Sequence, residues 1–187
     1  MEQREEQTDI STRAWEAFER WHYEAAGLPA DRWAALQLRI HRHTQPSAPE
    51  KLARRIGLLV ADFVSSPRQP PAMEAVGWVM VLAVSLSTAM RIDVGIVWNW
   101  AGLCRAAVVA PFGAQGTIAA TERIGTALDA EGATEATTRC AVVEGIADLL
   151  YHLQRTVIAA GADPEQVLLD SAQGILRAAP PDSASQR

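Results

Sequence analysis

"EAVGWVMVLAVSLSTAMRID", residues 74–93, has no charge between its opening acid and Arg91. That uncharged run, Ala75 to Met90, is 16 residues long, short of the roughly 20 that a helix needs to cross a bilayer. Gly77, Ser85, Ser87 and Thr88 dilute it, and neither an aromatic belt nor a basic flank would orient it in a membrane. The stretch predicts a helix buried in a protein core.

The rest of the chain can supply that core. Its 187 residues are 49% hydrophobic, enough for one medium domain or two small halves sharing an interior. A net charge of -5, with the basic residues scattered, argues against electrostatic binding to nucleic acid or an anionic membrane surface. Cys104 and Cys140 are far apart and lack CxxC spacing, so neither a zinc site nor a disulfide framework is indicated, and buried free thiols are expected. "MEQREEQTD" is polar and acidic with no apolar segment behind a basic start, so a cytoplasmic location is the expectation.

Strand-type alternation is missing, and punctuation divides the chain into helices. Thr12 to Ala26 reads as a helix closed by "GLP", with Gly27 as left-handed cap and Pro29 barring continuation. Asp31 reads as the N-cap of a helix reaching about His43. Pro49 stands near the start of a helix ending about Ser65, and the loop "SPRQPP" then leads into the opening stretch. Further helices fit roughly Ile96–Val109, Thr117–Ala130, Glu135–Ala160 and Pro164–Ala178, before a tail, residues 179–187, whose composition predicts disorder. The fold class is all-α.

An internal repeat is visible. "EGIADLLYHLQRTVIAAGAD" lies under the opening stretch at a constant offset of 70, pairing Glu74 with Glu144, Ala89 with Ala159 and Asp93 with Asp163. Upstream, Arg55-Ile56-Gly57 falls over Arg123-Ile124-Gly125 at an offset of 68. These offsets predict a helical bundle of two pseudo-symmetric repeats in one domain, residues 12–110 and 111–178.

The repeated unit resembles the MazG-like all-α nucleoside triphosphate pyrophosphohydrolases. In that family a helix of the type "KLxEExGELxxAL" carries an EExxE motif, and a following helix like "EELGDVLxxLxxLAxxLGID" carries ExxD. Here "KLARRIGLLVADF" (51–63) matches the first, and both "EAVGWVMVLAVSLSTAMRID" and "EGIADLLYHLQRTVIAAGAD" match the second, covering about Lys51 to Gln173. The resemblance implies a fold of MazG-like repeats and carboxylates that hold Mg²⁺ against phosphate and position an attacking water. It also makes a homodimer compatible with the chain, since the family fold buries helical faces between units.

Carried over residue by residue, that chemistry is depleted. The first repeat has Arg54, Arg55 and Leu58 at EExxE, then Ala75 and Trp78 at ExxD, with no carboxylate among them. The second has Glu122, Arg123 and Thr126, then Gly145 and Asp148. Glu144 is an i, i+4 neighbour of Asp148 on one helical face, so Glu122, Glu144 and Asp148 are the candidate ligands of a reduced one-metal site. Paired with Arg123 or Arg155, the same acids would instead be a solvated polar face.

The replacements run toward aromatic and basic side chains. Trp78 takes an acid's place, and Trp98 and Trp100 follow in "VWNWAG". With Arg54, Arg55 and Arg123 at a rim, they are candidates for binding a small molecule that is partly apolar and anionic or carbonyl-bearing; the alternative is that the aromatic side chains fill the core. Asp148, His152 and Tyr151, with Glu144, form a polar stripe containing an Asp-His pair suited to general acid/base work. His22, His41 and His43 show no metal-ligand spacing, and "FGAQG" (112–116) lacks the Lys of a phosphate-binding loop.

Three functions are compatible with these residues. One is a diverged MazG-like protein without cofactor that binds or transforms another small molecule in an aromatic-lined cavity, as a metal-independent biosynthetic enzyme would. A second is a nucleotide pyrophosphohydrolase with Mg²⁺ at the reduced site. The third is a non-catalytic helical module that docks a partner through exposed Trp.

Overall fold

The computed structural model of the protein describes residues 34, 36–38, 40, 41, 48–65, 72–107 and 114–178. The helix read over Thr12–Ala26, the cap at Asp31, His22, His43, the tail from residue 179 and the side chain of Cys104 lie outside the described residues. Helical residues between 34 and 41 come first, followed by α1 (Pro49–Val64), α2 (Met73–Ala89), α3 (Val94–Ala107), α4 (Ala114–Asp129), α5 (Glu135–Ala159) and α6 (Pro164–Ala178). The fold is all-α, with no strand among the described residues.

The opening stretch is the most deeply enclosed element. Every residue of α2 from Val79 to Ser87 is buried, so the helix needs neighbours on all of its faces. α1 and α6 pack along it, α5 crosses it, and Ile40 adds a fully buried side chain to the same core. Two serines inside this apolar helix have partners: Ser87 Oγ donates to the Ala83 carbonyl at 2.9 Å, and Ser85 Oγ lies 3.3 Å from His41 Nδ1. Gln37 clamps the far end of α2, donating to the Ile92 carbonyl at 2.8 Å and accepting from the Val94 amide at 3.3 Å.

Around α2 and α5 the other helices are arranged in pairs. α1 lies on α2 and α4 on α5, and α1 and α4 also pack on each other; α6 covers α2, and α3 covers α5. Glycine sets two of these approaches. A β-carbon at Gly77 would lie 2.9 Å from the Ser171 β-carbon on α6, and one at Gly145 would lie 2.6 Å from Ile124 Cγ1 on α4. Both distances are shorter than nonbonded carbons tolerate, so these helices are as close as they can be only without a side chain there.

The turns after α2 and α5 are built alike. Ile92 N–H donates to the Ser87 carbonyl at 2.7 Å and Arg91 N–H to that of Thr88 at 3.0 Å; Ala162 donates to Val157 at 3.1 Å and Gly161 to Ile158 at 2.9 Å. This pattern is the Schellman helix end, which needs a left-handed residue. Gly161 supplies it at φ 75°, while Arg91 adopts φ 55° with a side chain attached. One step later Asp93 Oδ1 accepts from the Gly95 amide at 2.8 Å and Asp163 Oδ1 from that of Glu165 at 2.8 Å, so each Asp caps the next helix.

The helix boundaries read from sequence hold within a few residues, with α3 and α4 beginning two and three residues earlier than expected. The expectation of a buried Cys140 is corrected: it is exposed, because it falls on the outer face of the first turns of α5. No helix among the described residues is long and apolar enough to cross a membrane.

Left-handed backbone costs a residue with a β-carbon roughly 1 kcal/mol that glycine does not incur. Arg91→Gly is therefore expected to raise the unfolding free energy by about 1 kcal/mol, and Gly161→Ala to lower it by about the same, in urea denaturation. Arg139 donates to the carbonyl of Arg91, a contact the glycine variant keeps.

Candidate functional site

α4 and α5 bring the second set of aligned positions face to face. Arg123 on α4 donates to Asp148 Oδ2 on α5, forming an ion pair whose two side chains are about half exposed. The sequence left two readings open for Asp148, ligand or ion-pair partner, and the guanidinium occupies it. Gly145, one turn earlier on α5, falls where the resemblance would place the other acid. Its approach to Ile124 and to the backbone of Ala120 leaves no room for a glutamate.

The remaining acids do not complete a metal site. Glu122 and Glu144 are exposed, and Glu122 lines a groove shared with α1. Among the described residues no three His, Cys, Asp or Glu side chains are grouped so as to hold a metal ion. Glu122, Glu144 and Asp148, the reduced site expected under the hydrolase reading, are therefore not such a group. A donor set for a hard divalent cation needs several oxygens converging on one point, and here Arg123 stands at the carboxylate that would anchor them.

His152 lies within electrostatic reach of Asp148. Its Nδ1 is buried with no hydrogen-bond partner, and its imidazole lies against Gly116 in the first turn of α4, where a β-carbon would come within 2.8 Å of Nδ1. Burial, opposed by the Asp148 charge and reinforced by Arg155, holds the pKa below 6.5, so the neutral ring is favoured. Tyr151 is buried beside it, with ring centroids 5.0 Å apart at 73°, and its hydroxyl accepts from Arg155 Nη1 at 3.1 Å.

The three tryptophans do not form one lining. Trp98 belongs to the core at 7% exposure, Trp100 is 47% exposed, and Trp78 packs partly buried beside a groove between α2 and α6. The physical reason is helical geometry: positions 98 and 100 are roughly 200° apart around α3 and cannot face one cleft. Gathering them from "VWNWAG" treated sequence neighbours as spatial ones.

The groove between α1 and α4 was not foreseen. It measures about 750 Å³ and runs along Gly57 and Gly125, with Leu58 and Ile118 among its apolar walls and Arg54 and Glu122 among its charged residues. Gly57 and Gly125 end the aligned triplets Arg55-Ile56-Gly57 and Arg123-Ile124-Gly125, in which Ile56 and Ile124 are fully buried. Two glycines one step after two core residues, on helices that pack together, were the available signal. Arg54 reaches this groove; Arg55 is exposed and is not among the residues lining it.

Comparison of the chain with protein-family models, curated proteins and solved structures finds no match among any of them.

The depressed pKa of His152 sets a direction for stability. An unfolded chain would bind a proton near pH 6.5 that the folded chain refuses, so this histidine's contribution is full above that pH and is lost as pH falls through the folded pKa. Urea denaturation between about pH 7.5 and about pH 5 should show stability declining with acidity. His152→Gln should flatten that decline, and an unchanged slope in the variant would remove His152 as its source.

Proposed function

We propose that this protein is a MazG-like helical scaffold that has given up Mg²⁺-dependent nucleotide hydrolysis and binds, or transforms without metal, a partly apolar small molecule in the α1–α4 groove. The observation that carries the reading is the Arg123 guanidinium on the Asp148 carboxylate. An ion bound there would have to displace a fixed positive charge and would then find fewer carboxylates than the four or five that the family chemistry uses.

The tandem-repeat part of the proposal rests on three observations. Exchanging α1 with α4, α2 with α5 and α3 with α6 maps the principal helix neighbours onto one another. The left-handed residues Arg91 and Gly161 stand 70 positions apart, as do the capping Asp93 and Asp163. Arg55-Ile56-Gly57 and Arg123-Ile124-Gly125 fall on the two helices that flank the groove. The groove then lies between the first helices of the two repeats.

Its chemistry suits an amphiphilic ligand. Leu58, Val60, Ile118 and Leu128 offer apolar contact, and the bare glycines let a flat or extended molecule approach the backbone. Arg54 provides a donor fork for a carbonyl, and Glu50, Glu122 and Asp129 accept from amines or hydroxyls, so the groove carries more negative than positive charge.

A β-carbon at Gly125 would meet nothing within 4 Å, so a larger side chain can fill the groove without disturbing the helices. The uncharged fluorescent probe N-phenyl-1-naphthylamine should bind the native protein, and Gly125→Leu should reduce that binding at least tenfold while unfolding no earlier, since leaving glycine in a helix gains roughly 0.5–1 kcal/mol. Undiminished binding in this variant would place the apolar site elsewhere. In parallel, a panel of nucleoside triphosphates with Mg²⁺ should release no pyrophosphate; release abolished by Asp148→Asn would restore the hydrolase reading.

A further inference from the structure

A second groove, between α2 and α6, has a different character and does not depend on the proposal above. It measures about 460 Å³ and is lined by Met73, Glu74 and Trp78 of α2 and Val167, Asp170, Ser171 and Gly174 of α6. The close approach of Gly77 to Ser171 draws these helices together. Glu74 and Trp78, one turn apart on α2, therefore meet Asp170 and Gly174, one turn apart on α6, across a narrow gap.

Those residue types select a charge. Glu74 and Asp170 are exposed carboxylates, Asp170 accepts from the neutral amide of Gln166 at 2.8 Å, and among the described lining residues there is no Lys or Arg. Trp78 is partly buried and packs against the core, so its ring is held in place. Indole is the side chain that best attracts a cation through its π-face, while Met73 and Val167 offer apolar contact to short alkyl groups. An anion would face two negative charges, and a neutral apolar ligand would forfeit solvation of both carboxylates.

We infer that the α2–α6 groove at Trp78 is a binding site for a small organic monocation of the alkylguanidinium or alkylammonium class. Glu74 and Asp170 supply the charge, and Trp78 supplies the face that distinguishes an organic cation from a hydrated sodium ion. Gly174 keeps the entrance open, since a β-carbon there would meet nothing within 4 Å.

The test is a titration of the full chain with methylguanidinium chloride, followed through the indole N–H resonance of Trp78 in a two-dimensional ¹H–¹⁵N spectrum and assigned by its loss in Trp78→Phe. A saturable shift of that resonance is expected, absent with sodium chloride at the same ionic strength. Glu74→Gln and Asp170→Asn, both at exposed positions, should each weaken binding by about three- to tenfold, and Gly174→Leu should abolish it. The inference is overturned if sodium chloride reproduces the shift, if no saturable shift occurs, or if both carboxylate variants bind as tightly as the native chain. Binding of the uncharged N-phenyl-1-naphthylamine at the α1–α4 groove should be unaffected by these variants, which keeps a failure of one site distinct from a failure of the other.

Discussion

The structure depends on enclosing α2. A helix that is apolar on every face gains its hydrophobic free energy only when every face is covered, and at about 25 cal/mol per Å² of buried apolar surface this is the largest favourable term available to it. α1, α5, α6 and the helical residues near Ile40 are placed by that requirement. The near-absence of charge that first suggests a membrane span is thus the cause of the bundle. Gly77 and Gly145 then fix how closely neighbours settle, and the grooves run where side chains stop filling the gaps between them.

The polar devices sit at the ends of this arrangement. Each of α2 and α5 finishes in a Schellman turn followed by an aspartate that caps the next helix, so the sharp reversals to α3 and α6 satisfy their backbone groups locally. Arg91 holds a conformation that Gly161, in the turn after α5, adopts without strain. Between α4 and α5, Arg123 and Asp148 meet at the half-exposed edge of the same packed pair. An exposed pair of this kind contributes only about 0.2–1 kcal/mol to stability. Its interest lies in what it excludes from Asp148.

Much of the fold was legible because helices of this kind announce their limits. Pro49 and Pro164 stand at helix starts that the structure keeps, and 16 uncharged residues too short for a bilayer identify the central helix. The start of α3 was less visible, since Arg91 does not look like a left-handed cap and Asp93 was read as a repeat marker before its role as a cap could be seen. For the site, the sequence places Arg123 and Asp148 on two helices and leaves their ion pair as one of two readings, which the structure shows. The grouping of Trp78, Trp98 and Trp100 failed because sequence proximity does not determine which way a helical side chain points. The α1–α4 groove was missed because a cavity is made by residues that are absent or small, and Gly57 and Gly125 carry no chemistry that draws notice.

If a guanidinium has taken the place of a metal, the two should not coexist at Asp148. The direct measurement is a titration of the folded protein with Mn²⁺, a paramagnetic substitute for Mg²⁺, followed by line broadening of backbone amides. The account predicts no localised broadening of residues 122–126 and 144–148, at concentrations that saturate a weak carboxylate site in a control protein. Selective broadening of those two segments, relieved by excess Mg²⁺, would show a divalent-cation site at the Arg123–Asp148 pair and contradict the claim that the scaffold has abandoned metal chemistry.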